Sequence, residues 1–216
     1  MRKLRLKKDS EGFYHVGSRC VDRTFRFDDD DKTHVVDQIR RMAAFCGMDV
    51  NTCSVMTNHI HILLHVLPKR ELTDDELASR VAALYGHEKA EDCRIAWAAY
   101  RRNGGEAAMQ RLEEERNALL RRMGDLSNYM KELKQWISRD YNKKVGRKGT
   151  LWEDRFRSCL LEDSATVLTQ VAYYTYARFP KVFNARKRPA KPFVTDIGEV
   201  DDAICASHKP HRIGVG

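Results

Sequence analysis

His59 and His61 stand one residue apart inside the segment TNHIHILLHV. In an extended strand alternate side chains share a face, so His59, His61, Leu63 and His65 point one way while Ile60, Ile62, Leu64 and Val66 point the other. The second set is an unbroken apolar stripe. Such a stripe pins the register of the strand, because a slip of one residue would expose all of it. Two imidazoles at i and i+2 on one strand can both reach a single ion. His59 and His61 are therefore the candidate metal ligands, on the face opposite the core stripe.

Two other uses of such histidines are excluded by the residues around them. A histidine triad of the nucleotide-hydrolase type needs a third histidine at position 63, which is Leu63. A structural zinc site needs a second close pair of Cys or His, and Cys53 has no such companion nearby. The other residues that could do chemistry are basic. Lys143, Lys144, Arg147 and Lys148 crowd the segment NKKVGRKG, and Arg155 and Arg157 follow on one face of an expected strand beside Trp152 and Phe156. Single-stranded DNA binds in basic grooves with aromatic platforms, so these six cations are the candidate DNA-binding set, with Trp152 read as core.

The whole chain agrees with a polyanionic partner. Its 216 residues carry 39 Lys+Arg against 31 Asp+Glu, a formal net charge of +8. No apolar run approaches the roughly 20 residues of a membrane span. The start, MRKLRLKK, is charged with no apolar stretch behind it, which reads as no signal peptide. The six cysteines show no C-x-x-C and read as reduced thiols. The expectation is a cytoplasmic protein.

The elements that must position these groups follow from periodicity. Residues 13–20 read as a strand that bends at Gly17. DDDDKT reads as a turn or a helix start, and apolar residues from Val35 to Cys46 recur at helical spacing until Gly47. MDVNTCSVM is a second strand, joined to the histidine strand by a tight turn at Thr57 and Asn58. Residues 68–124 turn helical and charged, with Thr73 and Glu76 spaced as a capping box, and read as an inserted helical hairpin or lid. An amphipathic helix begins at Leu126, TLWEDRFRSCLLE reads as a fourth strand, and Ser164 caps a last helix, ATVLTQVAYYTYAR. Without the insertion the order is β-α-β-β-α-β-α. The expected fold class is α+β: a ferredoxin-like or RRM-like split βαβ antiparallel sheet, helices on one face, the other face open to a ligand, and an extra C-terminal helix. The expected domains are a core of 1–67 with 125–180, a helical insertion at 68–124, and a basic, weakly ordered tail at 181–216.

YHVGSR, VMTNHIHILLHV, LSNYMKELKQWISRDYNKKVGRKGTLWEDRFRS and a helix beginning VAYY occur here in the order seen in REP-associated tyrosine transposases, within the single-tyrosine HUH transposases of the IS200-like type. The chain resembles that family from residue 13 to about 176, apart from the insertion. The resemblance implies a DNA-nicking and strand-joining transposase acting on single-stranded or hairpin DNA. One Mg²⁺ or Mn²⁺ would rest on His59 and His61. A tyrosine of the last helix would attack a phosphodiester, giving a 5′-phosphotyrosine and a 3′-hydroxyl. Alignment of VAYY puts Tyr174 at the nucleophile, with Tyr173 and Tyr176 as the alternatives.

The chain departs from the family just after that tyrosine. Position 178, where the family carries Asn or Gln able to bind the metal, is Arg178, a cation with no acceptor. The NPVRAG run that follows in the family is RFPKVF here. Two rivals stay open: a catalytically impaired, domesticated binder of single-stranded or hairpin DNA, and a metal-dependent phosphohydrolase with a water nucleophile. A homodimer is also left open.

Overall fold

A computed structural model describes residues 11–21, 26–161 and 167. Four strands and five helices follow in the order β1 (Gly12–Arg19), α1 (Asp29–Cys46), β2 (Met48–Val55), β3 (His59–Val66), α2 (Asp74–Tyr85), α3 (His87–Asn103), α4 (Glu106–Leu120), α5 (Leu126–Val145) and β4 (Arg157–Leu161). The strands form one antiparallel sheet in the order β2-β3-β1-β4. β1 and β3 are central and each helical crossover skips a strand, which is the split βαβ arrangement and the expected α+β class. None of the described helices is long and apolar enough to cross a membrane.

The acidic run is a helix start. Asp28 caps α1, accepting from Asp31 N at 2.8 Å, while the Asp31 carboxylate accepts from Asp28 N at 3.2 Å. Asp29, Asp30 and Asp31 then lie in the first turn, where the helix dipole favours negative charge. Gly47 stops the helix in the left-handed region at φ 68°, which a side chain would disfavour. β1 keeps its pairing on both sides through Gly17 with no shift of register.

The core lies between one sheet face and the helices. Tyr14, Val16, Ile60, Ile62 and Leu64 are buried against Ile39, Met42, Tyr129, Met130, Leu133 and Ile137. Tyr129 donates through its hydroxyl to Ile39 O at 3.2 Å, tying α5 to α1.

Segment 68–124 folds as three helices, where a hairpin was expected. The Thr73–Glu76 capping box forms in both directions. Leu77, Ala78, Val81 and Leu84 of α2 are buried in the same apolar cluster as the sheet, and the segment falls in one compact unit with it. A lid must lift away from the body. Here α2 supplies part of the main core, and Asp74 at its start holds Arg101 at 2.9 Å and Arg116 of α4 besides. The expected fourth strand is also shorter. Residues 150–156 make only one isolated backbone bridge, Trp152 to Cys20 just past β1, while the Trp152 indole turns inward, buried and donating to Lys134 O at 3.0 Å.

Candidate functional site

Strand pairing decides what stands beside the histidines. Across the central pair, Gly17 faces His61, Arg19 faces His59 and His15 faces Leu63. On the other side of β1, Gly17 faces Arg157 and His15 faces Cys159. Directly opposed residues share a face. His61, Gly17 and Arg157 therefore form one lateral row, with His59 and Arg19 in the next.

Within this face the imidazoles touch one another. The His59 and His61 rings lie edge to face, centroids 5.1 Å apart at 87°. His15 stacks on His61 at 5.2 Å and 19°, its Nε2 lying 3.1 Å from His61 Nδ1. His59 Nδ1 lies 2.6 Å from Asn58 Oδ1. A carbonyl oxygen only accepts, so His59 carries its proton on Nδ1 and has Nε2 as its basic nitrogen. The same arrangement holds for His61 when its Nδ1–H donates to His15. Both rings would then meet a metal through Nε2, each with Nδ1 engaged by a neighbour, which is how ligating histidines are usually oriented. Among the described residues, no group of three or more His, Cys, Asp or Glu side chains is placed to hold a metal ion.

Gly17 gives the His61 ring room. A Cβ at position 17 would stand 3.2 Å from His61 Nδ1 and 3.4 Å from its Cε1. Gly17→Val should destabilise the protein by about 1–3 kcal/mol through overpacking, read as a lower urea midpoint with an unchanged slope. A midpoint equal to wild type would show that the ring moves aside without cost.

The face was expected to be open to a ligand, and the histidines on it are buried. His15, His59 and His61 are 6 %, 8 % and 4 % exposed, and Leu63 is fully buried. Burial, then the neighbouring His59 and Arg19, push the His61 pKa down to about 3, so its imidazole is neutral at physiological pH, the form that binds metal.

Residues 9–83 match the family model described as Transposase IS200 like. This segment is similar to the IS200-like transposases. It takes in about a third of the chain, from the start of β1 into α2, and so contains His15, Gly17, His59 and His61. No curated protein matches the sequence significantly. Among solved structures, a REP-associated tyrosine transposase bound to a REP hairpin is 13% identical at a TM-score of 0.48, over 85% of this chain and 75% of that one. A transposase candidate from Deinococcus radiodurans R1 is 17% identical at 0.35, over 82% and 98%. The fold class rests on the strand order itself.

The remaining expected site residues lie outside the IS200-like segment. Arg157 is exposed at the start of β4, in the His61 row. Arg155 is exposed but precedes the strand, so the two arginines do not share a strand face as expected. Lys143 and Lys148 are exposed. Lys144 instead reaches back to the cap of α1, 2.8 Å from both Asp28 Oδ2 and Asp31 Oδ1, and those carboxylates raise its pKa. Arg147 donates to Thr150 O at 3.1 Å, closing its own turn. Tyr173, Tyr174, Tyr176 and Arg178 lie outside the described residues.

His15 and Gly17 were missed as site residues. Their signal is present in YHVGSR, where alternation puts His15, Gly17 and Arg19 on one face. What alternation cannot supply is the neighbour across the sheet, and His15 and His61 are 46 residues apart.

Proposed function

We propose that the chain is a single-tyrosine transposase that nicks and rejoins single-stranded DNA through a 5′-phosphotyrosine, using Mg²⁺ or Mn²⁺. The observation that carries this is the pair His59 and His61 on the central strand, in contact with each other and each with Nδ1 engaged by a neighbour. In this reading His59 and His61 hold the ion. A bound divalent ion would polarise the scissile phosphoryl oxygen and offset developing charge. Tyr174 Oη would attack phosphorus as the P–O3′ bond breaks, leaving the 3′-oxygen as a hydroxyl. A free tyrosine, with pKa about 10, is a poor nucleophile at neutral pH, so its proton must be lost as the bond forms. Arg157, in the row of His61, would bind a neighbouring phosphate in this reading. The core would comprise 1–67 and 125–180, with 68–124 an insertion and 181–216 a tail, and the protein would act in the cytoplasm.

A 5′-labelled hairpin oligonucleotide with single-stranded flanks tests the reading. Incubated with the protein and Mn²⁺, the cleaved strand should travel with the protein on a denaturing gel, and peptide mapping should place the adduct on Tyr174. Cleavage without an adduct would support the water-nucleophile reading. Arg178, standing where the family carries a metal-binding amide, favours one second reading, a binder that has lost cleavage. Tight hairpin binding with neither cleavage nor adduct would establish it.

A further inference from the structure

We infer that the groove along the outer side of α5 is a second DNA-contact surface, one that takes a phosphodiester backbone away from the scissile phosphate. This rests on the reading above that the partner is DNA. The groove has a volume of about 940 Å³ and lies between α5 and the irregular segment before β4. Lys131, Lys134 and Arg139 line it from the helix and Arg155 from the facing segment, against one carboxylate, Asp154, among the described lining residues.

The helix is sorted by charge. Its carboxylates are engaged by other elements: Glu132 is held by Arg122 at 2.7 Å, and Asp140 by His34 at 3.1 Å and by Gln38. Its groove side presents lysine, arginine, serine and glutamine. Lys131, Arg139 and Arg155 are exposed and make no ion pair among the described residues. Core packing does not require three unpaired cations in one groove, and their mutual repulsion is relieved by a polyanion.

The chemistry favours the backbone over bases. The groove's aromatic residues, Trp152 and Phe156, are each 7 % exposed, so they offer no open stacking platform. Cations spaced along a helix with hydroxyl and amide donors between them suit phosphate oxygens, whatever the sequence. The route is continuous too. β4 is an edge strand, Arg155 stands in the groove, and Arg157, two residues on, stands in the His61 row on the opposite sheet face. A DNA strand can leave the histidine row, pass these two arginines around the edge and lie along α5.

The test is Lys131→Gln with Arg139→Gln, both exposed, measured by fluorescence anisotropy on a labelled hairpin with a single-stranded extension. Affinity should fall about tenfold or more, and the slope of log K against log salt should flatten by about 1.5–2, as for two lost phosphate contacts. The loss should be equal for oligonucleotides of unrelated sequence. Arg155→Gln repeats the test from the other wall and should flatten the slope by about half as much. Undiminished binding by both variants overturns the groove while leaving DNA binding standing, and a loss confined to one sequence overturns the backbone assignment. Absence of binding by the wild type removes the DNA reading and the groove with it.

Discussion

Replacing His61 with alanine should reduce Mn²⁺-dependent strand cleavage by about a hundredfold to a thousandfold, the scale on which loss of a single charge-stabilising group acts. His59→Ala should do the same, and the double variant little worse, because residues that act as a unit lose their effect together. The sequence alone predicts that such variants keep their fold, since the histidines oppose the core stripe. The structure changes that expectation. Both rings are nearly as buried as the core, and His61 packs against His15 and His59. Alanine leaves a hole, at a cost on the order of 2–4 kcal/mol. The decisive measurement is therefore single-turnover cleavage well below the lowered melting temperature, with His61→Asn alongside to fill more of the space. A folded His61→Ala protein that cleaves at the wild-type rate under saturating Mn²⁺ would remove the metal assignment.

Stability should fall as the solution is made acid, and His61 should account for much of the fall. Its folded pKa is pushed down to about 3, chiefly by burial, while an exposed histidine in the unfolded chain titrates near 6.5. Between those values the unfolded state binds a proton that the folded state refuses. Stability therefore rises with pH in this window: the contribution is complete above about 6.5 and is lost progressively toward 3. At pH 5 the loss from this residue is about 2 kcal/mol. Urea midpoints in chelator at pH 7.5 and pH 5 measure it. His61→Asn, which cannot titrate, should narrow the difference between the two midpoints by that amount. An equal difference in wild type and variant would show that His61 is not the acid-sensitive group.

Much of this fold is legible as local pattern. The apolar stripe of β3, the helical spacing from Val35 to Cys46, the glycine stop at Gly47 and the Thr73–Glu76 box each depend on residues within a turn or two of one another, and each appears where expected. The β-α-β-β-α-β order then leaves few ways to close a sheet, and the observed order is the split βαβ one. Misread features share a cause. Gly17 read as a place where the strand could bend, and the structure adds that the His61 ring stands against it. The fourth strand was read over TLWEDRFRSCLLE, yet regular pairing begins only at Arg157, and Trp152 before it buries its indole against α5. Lys144 read as part of a basic patch until its partners, more than 100 residues earlier, were in place.

The sequence by itself determined that His59 and His61 share a face opposite a core stripe, because a strand's two-residue period is a property of the chain alone. Only the tertiary structure decided that these rings are buried, that His15 meets His61 at 3.1 Å, that Gly17 leaves room for the ring, and that Arg157 joins the same row. Those facts depend on which strands become neighbours and in what register. The sorting of charge on α5 has the same origin. Glu132 and Asp140 became paired residues only when Arg122 and α1 arrived to hold them, and Lys131 and Arg139 were left facing water.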